Sequence, residues 1–453
     1  MRSFWFFFYN TVVVPILWLL FHLAALVKRK VRIGLRGRNG LFDNLRQQVN
    51  SLTGRRRLWF HASSLGEFEQ AKPIIGELRR RYPHLDIVVS FFSPSGYEHS
   101  RNYRLANVIT YLPFDSRRKA RRFVELVRPT AAVFVRYDVW PNHLWELQRR
   151  GIPSFIANAT MSEGSSRRRA MLKSFHRVLY NNLDSILAVS ESDAEGYRSL
   201  GLAVPLWGVP EGGTGQAGQS HPRLEVVGDT RYDQVWMRSQ EARGRRLIPE
   251  SIVRGKKILV VGSSWEGDER IILPVFSRML AVEPDLLLII VPHEPNEENL
   301  ERIENELDRL CSKGHEMSIR FSGLNDYRSQ RVIIVDSVGI LLSLYAYATV
   351  AYVGGGFLGK PGNGGVHNVL EPAVYGVPVL YGPNHDNSQE AVALVQRGGG
   401  FVVTDEKELY RRLRIFFEDD MARCEAGKHS SDFVEQNTGA TERVIKYLEP
   451  YIS

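Results

Sequence analysis

The sequence predicts an α/β protein with two doubly wound parallel sheets, preceded by an apolar N-terminal helix. Three observations predict this class. The first 27 residues are mostly apolar, short apolar runs then alternate with polar helix-like segments, and this alternation lapses once near the middle of the chain. A chain of 453 residues exceeds what one hydrophobic core usually organises, so we expect two domains of similar size.

The N-terminal segment Phe4–Val27 contains no Asp, Glu, Lys or Arg. At about 1.5 Å per residue it can cross a hydrocarbon core of roughly 30 Å. Only Arg2 precedes it, whereas the basic stretch 28–38 follows at once, so the positive-inside rule leaves the body of the protein in the cytoplasm. We expect residues 1–40 to form an uncleaved membrane anchor. Pro15 and the many aromatic residues leave open a helix that lies in the membrane interface.

The first domain is predicted from short apolar runs separated by polar segments of helical character. The runs are Leu58–Phe60, Ile87–Phe92, Val108–Leu112, Ala131–Val135, Ser154–Ala157 and Ile186–Val189. Such alternation indicates repeated βαβ units around a parallel sheet. The Gly-rich stretch 205–222 cannot pack a core and predicts an exposed linker. We therefore place the first Rossmann-like domain at residues 41–222.

The same alternation resumes in the second half of the chain. The apolar runs are Leu224–Val227, Ile258–Val261, Leu286–Val291, Val332–Val335, Thr349–Val353, Val377–Leu380 and Phe401–Val403. We place the second Rossmann-like domain at residues 223–453. Two such domains that face each other form a cleft, and ligands of doubly wound sheets bind beyond the carboxyl ends of the strands. Functional residues are therefore expected directly after strands.

The net charge bears on the kind of binding partner, and the cysteines bear on disulfides and zinc sites. The net charge of +9 attracts polyanions, but no recognition-helix, zinc-finger or RNP pattern accompanies it. We therefore expect no nucleic acid partner, since an anchor beside anionic lipid explains the same excess. Cys311 and Cys424 lie far apart, which indicates neither a disulfide framework nor a thiolate zinc site.

Two glycine clusters follow the apolar run Ala348–Val353 and predict a turn that binds phosphate. Gly354–Phe357 comes first, and Gly364–Pro372 leads into a helix expected at Asn368–Tyr375. Glycine lets backbone N–H groups approach a phosphate closely, and a helix N-terminus favours an anion. Glu371, in the first turn of that helix, is placed to accept hydrogen bonds from two ribose hydroxyls. The alternative is a tight turn with Glu371 favoured by the helix dipole.

A second candidate segment, residues 61–67, follows a strand and precedes a helical run. The hydroxyls of Ser63 and Ser64 can cap that helix or bind an anion, and Gly66 lets the backbone turn tightly. Glu67, at the start of the helix, is a candidate general base. The alternative is a capping box, with Ser64 as the N-cap and Glu67 three residues later.

Together these segments resemble the Kdo transferases. This family moves 3-deoxy-D-manno-oct-2-ulosonic acid (Kdo) from its CMP ester to a lipid A precursor and has the two-domain GT-B glycosyltransferase fold. The resemblance rests on short family segments that occur in the same order along this chain. In the first half they are H-A-x-S-x-G-E at His61–Glu67, E-T-E-x-W-P-N in part at Asp138–Asn142, and N-A-x-x-S-E-x-S at Asn158–Ser165. In the second half they are V-x-G-N-x-K-x-D at Val227–Asp233, G-S-x-x-x-G-E-E at Gly262–Glu269, G-G-S-F and G-G-H-N-x-L-E-P at the two glycine clusters, and G-P-x-x-x-N-x-x-E at Gly382–Glu390. Their shared order, behind an anchor of the right polarity, makes the resemblance specific.

The resemblance implies an inverting glycosyltransferase of lipopolysaccharide biosynthesis at the cytoplasmic face of the inner membrane. CMP-Kdo would be its donor and a lipid A precursor its acceptor, and Glu67 takes the family's position for the catalytic base. The donor-binding residues are expected to be Ser263, Ser264, His293, Gly355, Gly356, Gly364, Gly365, His367, Asn368, Glu371, Asn387 and Glu390. The acceptor-binding residues are expected to be Ser63, Ser64, Gly66, Asp138, Asn158, Ser162 and Arg168. We expect no cofactor and no metal ion, because no D-x-D arrangement follows a strand.

The chain departs from the family pattern at an inserted Val366, at the lengthened loop 358–363, and at two charged positions. Where many members have E-T-E, this chain has Arg136, Tyr137 and Asp138, so only the last acidic position is kept. Where many have P-R-H-P, His293 replaces an obligate cation with a side chain that is largely neutral at pH 7.

Two other functions stay open. One is a GT-B enzyme that uses another nucleotide sugar, such as a UDP-hexosamine, and the other is a non-catalytic, membrane-bound nucleotide or lipid binder.

Overall fold

A computed structural model of the protein describes residues 2–162, 164–202, 222–310, 317–358 and 364–452. The predicted linker therefore lies outside the described residues, apart from Pro222. The chain divides into two compact units, which we call the first unit (Met1–Gln234 with Thr438–Ser453) and the second unit (Val235–Asn437). These limits differ from the domain limits predicted at 222 and 223, because the C-terminal segment packs into the core of the first unit.

Within the described residues, the first unit has a sheet of seven parallel strands. They are β1 (Arg57–Ala62), β2 (Asp86–Phe91), β3 (Val108–Tyr111), β4 (Ala131–Val135), β5 (Ser154–Ala159), β6 (Ser185–Ala188) and β7 (Arg223–Val226). Their order is β3-β2-β1-β4-β5-β6-β7. The order reverses between β1 and β4, so the segments that follow these two strands open on the same crevice. The prediction that placed β7 in the second domain is wrong, because β7 pairs with β6.

The second unit also has a sheet of seven parallel strands among its described residues. They are β8 (Lys257–Ser264), β9 (Leu286–Pro292), β10 (Ser318–Arg320), β11 (Val332–Ile334), β12 (Val350–Val353), β13 (Val379–Tyr381) and β14 (Gly400–Val402). Their order is β10-β11-β9-β8-β12-β13-β14, with the reversal between β8 and β12. Two doubly wound parallel sheets confirm the predicted α/β class.

Helices separate the strands throughout. Residues 2–243 contain α1 (Arg2–Phe8), α2 (Val14–Val27), α3 (Arg29–Arg36), α4 (Leu41–Asn50), α5 (Leu65–Arg81), α6 (Pro94–Ser100), α7 (Arg117–Val127), α8 (Pro141–Arg149), α9 (Ala170–Tyr180), α10 (Glu191–Arg198) and α11 (Thr230–Arg243). Later residues contain α12 (Glu250–Val253), α13 (Glu266–Met279), α14 (Glu297–Leu310), α15 (Leu341–Leu344), α16 (Leu370–Ala373), α17 (Gln389–Gln396), α18 (Glu406–Glu418), α19 (Asp420–Gln436) and α20 (Ala440–Leu448). A π-helical turn, Tyr9–Val13, joins α1 to α2.

Each sheet is covered on both faces by apolar side chains. Along β1, Leu58 faces one cluster and Trp59 the other, and Leu259 and Val260 alternate in the same way along β8. Successive side chains of a strand point to opposite faces, so strands covered on both sides are continuous apolar runs. This is why the strands were visible in the sequence. Helix α20 contributes Val444 to the same cluster as Leu58, which places the end of the chain in the first unit.

The N-terminal segment is helical, as predicted. Among the described residues, Arg2–Val27 is the one helix that is long and apolar enough to cross a membrane, with a mean hydropathy of 2.0 over its most apolar window. Length and composition alone do not separate a crossing helix from one that lies on a membrane surface.

Candidate functional site

The turn between β1 and α5 presents a buried carboxylate. Glu67 lies in the first turn of α5, and its Oε2 accepts a hydrogen bond from the backbone N–H of Ser63. Ser64 is the N-cap of α5, but its side chain makes no capping hydrogen bond. The capping box that the spacing allowed is therefore not formed. Glu67 is instead held against the turn that follows β1, where the predicted site lies.

The environment of Glu67 favours a protonated carboxyl. Burial raises its pKa, and the negative charge of Asp138 raises it further. The backbone N–H of Ser63 and the charges of His61 and Arg136 act in the opposite direction without cancelling the rise. A general base is most effective when its pKa lies near the operating pH, so the direction of this shift suits that role.

The acidic position kept after β4 lies beside this turn. Asp138 Oδ2 is 3.1 Å from Nε2 of the buried His61 and accepts a hydrogen bond of 3.2 Å from Nε1 of Trp140. Burial alone would raise the pKa of Asp138, but hydrogen bonds from His61, Ser63 and Trp140 bring it below the ordinary value. Asp138 therefore stays ionised beside Glu67, and the shorter side chain still reaches the predicted site.

Three other predicted acceptor residues lie along β5 and the segment that follows it. Asn158 is fully buried with a φ of 52°, and its Nδ2 donates to Thr230 Oγ1 at 2.6 Å, so it ties β5 to α11. Ser162 is exposed, and Arg168 lies in a short 3₁₀ turn. The neighbouring Arg167 is the better fixed arginine, since it donates to Thr160 O at 3.1 Å. Acceptor contacts by the three predicted residues stay predictions.

Gly66 is not explained by a tight turn, because it lies within α5 and does not have the left-handed backbone that requires glycine. A Cβ at this position would meet nothing within 4 Å. Neither backbone geometry nor packing therefore demands glycine here. The open space at Gly66 leaves the backbone at the start of α5 accessible, which is consistent with a substrate that comes close to it.

We expect Gly66→Ala to lower transferase activity while stabilising the fold. Alanine in a helix is more favourable than glycine by about 0.5–1 kcal/mol, and the added methyl group would occupy the open space at this position. Gly76, in the same helix, offers a matched control, because its Cβ would meet only Leu105 Cδ1 at 4.0 Å. Gly76→Ala should stabilise similarly without loss of rate. Equal activities of the two variants, measured with melting temperatures, would contradict a role for Gly66.

The second unit contains a cavity of about 270 Å³ that brings together four predicted donor residues, Ser263, His367, Asn368 and Glu371. The rest of its lining is Arg238, Gly339, Leu341, Leu342, Tyr345 and Val353. Ser263 is the next-to-last residue of β8, beside the reversal between β8 and β12. Its φ of 55° is uncommon for a residue other than glycine. The cavity therefore opens where doubly wound sheets bind their ligands.

Arg238 and Tyr345 line this cavity but were not predicted. Arg238 lies on α11 and Tyr345 in a short helical turn, so neither directly follows a strand. Gly339 could have been found from the sequence, because it is a glycine that comes soon after an apolar strand, β11. In the structure its φ is 82°. Arg238 supplies a cation in the part of the second unit where the sequence lacks the arginine that many family members have.

Three rings stack at the side of the cavity. Trp265 and His367 lie side by side, with centroids 6.4 Å apart and an interplanar angle of 9°. His293 stacks on both of them, with ring centroids 4.6 and 4.4 Å away and interplanar angles of 23° and 19°. Trp265 Nε1 donates to His367 Nε2 at 2.9 Å, which requires a neutral His367. Burial and, to a smaller extent, the charge of His293 lower the pKa of His367 to about 4. His293, the histidine that departs from the family pattern, thus stacks across the hydrogen-bonded pair of Trp265 and His367.

The low pKa of His367 makes a prediction about pH. The folded state keeps His367 neutral to about pH 4, whereas an unfolded histidine takes up a proton near pH 6.5. The stabilisation is therefore complete above pH 6.5 and is lost as the pH falls toward 4. Between pH 7.5 and 5, wild type should lose about 1 kcal/mol more stability than His367→Gln, after allowance for solvent exposure. Melting curves of both proteins test this, with His429→Gln as the control, and parallel losses would contradict it.

The glycine clusters serve mainly to bring backbone segments together. A Cβ on Gly355 would lie 2.2 Å from the carbonyl oxygen of Gly365, and one on Gly356 would lie 2.5 Å from the backbone of a facing turn. The fully buried Asp268 accepts hydrogen bonds from the N–H of Gly355 at 2.8 Å and from the hydroxyl of Tyr352 at 3.0 Å. The N–H of Gly355 therefore already has an acceptor in Asp268, and a contact of Gly355 with the donor stays a prediction.

The other predicted donor residues also make internal contacts. Ser264 Oγ donates to Glu269 Oε1 at 2.8 Å, and Asn387 Nδ2 donates to the carbonyl of Val366 at 3.0 Å. Glu390 accepts from the hydroxyl of the residue that caps α17. A Cβ on Gly364 would lie 2.8 Å from the Cβ of Leu358.

The helix expected at Asn368–Tyr375 is shorter than predicted, because α16 covers only Leu370–Ala373. The side chain of Asn368 lies before this helix and accepts a hydrogen bond from the N–H of Leu370. Metal-ligand clusters of three or more side chains are absent from the part of the chain that the structure describes.

Comparison with known proteins links these sites to one family. A family profile described as 3-deoxy-D-manno-octulosonic-acid transferase (kdotransferase) matches residues 34–208. A 3-deoxy-D-manno-octulosonic acid transferase of Haemophilus influenzae is 26% identical over 456 residues, covering 99% of both chains. The protein of the same name from Aquifex aeolicus is 29% identical over 359 residues, covering 79% of this chain and 84% of its own.

Among solved structures, UDP-GlcNAc 2-epimerase from Neisseria meningitidis bound to UDP-GlcNAc has a TM-score of 0.59 at 13% identity, covering 87% of this chain and 100% of its own. At this identity the likeness concerns the fold alone, and it confirms the predicted GT-B-like class. The profile match, the relatives that cover most of the chain and the order of the motifs agree. Residues 34–208 therefore carry the domain of the 3-deoxy-D-manno-octulosonic-acid (Kdo) transferase family, relatives of that name cover most of the chain, and the protein is a glycosyltransferase.

Proposed function

We propose that the protein transfers Kdo from CMP-Kdo to a lipid A precursor in lipopolysaccharide biosynthesis, with inversion at the anomeric carbon and Glu67 as the general base. The observation that carries the proposal is the Glu67 carboxyl group, which is buried at the start of α5 and has a raised pKa. A carboxylate of this kind can take a proton from a sugar hydroxyl at neutral pH.

In the proposed reaction, Glu67 accepts the proton of a glucosamine hydroxyl while that oxygen bonds to the anomeric carbon of Kdo. The bond from this carbon to the CMP phosphate breaks, and CMP leaves with the electron pair. Asp138, which is ionised, makes Glu67 more basic and holds His61 in place. The transition state resembles an oxocarbenium ion, so fixed polar groups must also hold the Kdo carboxylate and the departing phosphate.

The cavity of the second unit is the proposed donor site. Arg238 and the hydroxyl of Ser263 would meet the phosphate or the Kdo carboxylate, and Asn368 can donate through its amide. Glu371 would accept from the ribose hydroxyls, and His367 would lie beside the nucleotide as a neutral ring. The proposed mechanism assigns no role to a metal ion or a cofactor.

The decisive experiment incubates the detergent-dispersed protein with CMP-Kdo and a tetraacylated lipid A precursor, followed by mass analysis of the lipid. We expect the lipid to gain the mass of Kdo, and the number of additions will give the number of units transferred. A parallel reaction with a UDP-hexosamine should leave the lipid unchanged. Transfer from the UDP-sugar alone would replace this function with that of another GT-B transferase.

A further inference from the structure

The N-terminal helix is docked along the surface of the first unit. Near its start, Trp5 contacts the ring of Phe175 with centroids 5.4 Å apart and donates from Nε1 to Ser174 Oγ at 3.2 Å. The ring of Phe6 lies 5.0 Å from that of Trp145. These partners lie on α8 and α9 or beside them, so the beginning of the helix is fixed to the globular part of the unit.

Tyr9, one turn further along the apolar segment, reaches a buried polar network. The hydroxyl of Tyr9 donates to Asp115 Oδ2 at 2.8 Å. Asp115 is 4% exposed and also accepts from the backbone N–H of Asn142 at 2.9 Å. The side chain of His143 lies 2.6 Å from the other oxygen of Asp115. Withdrawing Tyr9 into hydrocarbon would break a buried, charge-assisted hydrogen bond and leave its hydroxyl without a partner.

The far end of the helix is docked as well. The ring of Phe21 lies 5.4 Å from that of Phe92 and 5.3 Å from that of Phe114. The 16 residue-to-residue steps from Trp5 to Phe21 span about 24 Å at ~1.5 Å per step. This is most of the roughly 30 Å that a crossing helix must traverse. A helix attached to the protein over such a length cannot cross a bilayer without drawing the globular surface into the hydrocarbon.

The opposite face of the helix is apolar and exposed. Its exposed large side chains are Phe4, Phe7, Phe8, Val12, Ile16, Trp18, Leu19, Leu20, Leu23, Leu26 and Val27. We call this set the outward face. Each of Leu19, Leu20 and Leu23 is more than 50% exposed. A continuous apolar strip of this length is unfavourable in water and marks a surface that another apolar phase covers.

Positive charge borders the outward face at both ends. Arg117, at the start of α7, places its guanidinium 5.6 Å from the centre of the Phe6 ring, and Arg118 and Lys119 beside it are exposed. At the other end, the exposed Lys28 and Arg29 follow the helix directly. An apolar strip with a basic border complements a membrane surface, whose acyl chains lie beneath anionic headgroups.

We propose that the N-terminal helix lies in the plane of an anionic membrane surface, so that the protein is attached to one leaflet and does not cross the bilayer. The outward face enters the acyl region, and the basic border meets the headgroups. In this arrangement, the residues before the helix stay on the same side of the membrane as the globular part. The side chain of Arg2 is in fact hydrogen-bonded to Gln148 on α8. This inference does not depend on the reaction proposed above.

The side on which the N-terminus lies tests the proposal. A short Gly-Ser tag with one cysteine is placed ahead of Met1 in the full chain carrying Cys311→Ser and Cys424→Ser. The control chain carries only Cys311→Ser, so the exposed Cys424 reports the side of the globular part. A membrane-impermeant maleimide should label both chains in inverted membrane vesicles and neither in intact spheroplasts. Labelling of the tag in intact spheroplasts would show a crossing helix and overturn the proposal.

A second measurement tests the outward face itself. The double variant Leu19→Glu with Leu23→Glu should bind phosphatidylglycerol vesicles at least tenfold more weakly than wild type, while its melting temperature stays close to that of wild type. Leu105→Glu is the matched control, since Leu105 is an exposed leucine of the first unit outside the helix, and it should bind as wild type does. Wild type should bind phosphatidylcholine vesicles more weakly, because they lack the negative charge. Unchanged binding by the double variant would contradict the assigned face.

Discussion

Replacing Glu67 by glutamine is expected to lower turnover by at least ~100-fold, the effect typical of a lost general base. Glutamine keeps the size of the side chain and an oxygen that can accept from the Ser63 N–H, but it cannot take the proton of the acceptor hydroxyl. Affinity for CMP should hardly change, because the proposed donor cavity lies in the second unit. Initial rates with saturating donor and acceptor measure the effect.

A structural role for Glu67 makes a different forecast, so melting temperature must be measured beside rate. Loss of a helix-terminal hydrogen bond costs about 0.5–2 kcal/mol and leaves the rate of folded enzyme nearly intact. Glu69→Gln is the matched control on the same helix, where Glu69 forms an ion pair with Lys72. We expect this control to keep normal turnover. A destabilised Glu67→Gln with near-normal turnover would defeat the catalytic assignment.

The pH dependence of the rate gives an independent test of the same assignment. The base must be ionised to act, and burial together with Asp138 raises the pKa of Glu67 above its ordinary value. The rate should therefore fall as the pH drops through this raised pKa. Glu67→Gln should lose that acidic limb. If the limb persists in the variant, another group is the base.

The sequence predicted the strands well because both faces of each sheet are buried, which leaves continuous apolar runs. It could not predict which sheet a strand joins. β7 was assigned to the second domain, yet its pairing with β6 is a long-range contact that no local pattern records. The return of α20 to the first unit has the same cause, since Val444 packs against residues nearly the whole chain length away.

The site was partly predictable, for a related reason. Residues after strands meet at one sheet edge, and this rule found both Glu67 and Ser263. It missed Arg238, because helix α11 brings that residue to the cavity through tertiary packing. Glycine was ambiguous in a different way. The sequence cannot show whether Gly355 lets the backbone approach a phosphate or another backbone segment. The hydrogen bond from its N–H to Asp268 is visible only in the structure.

CMP is expected to raise the melting temperature of the wild type, and Glu371→Ala is expected to lose most of that rise. Glu371 lines the cavity with Ser263, His367 and Asn368, where its carboxylate can accept from both ribose hydroxyls. At 100 times its Kd, a ligand stabilises the folded state by about 2.7 kcal/mol, or roughly 5–10 °C for a unit of this size.

The choice of control decides what the Glu371→Ala result means. Glu425→Ala removes an exposed glutamate from α19 in the same unit and should keep the full CMP shift. UMP should stabilise wild type less than CMP does if the base is read as cytosine. An undiminished CMP shift in Glu371→Ala would remove this residue from the nucleotide site. A larger shift with UMP than with CMP would instead leave Glu371 in place and contradict the identity of the donor, so the two failures are distinguishable.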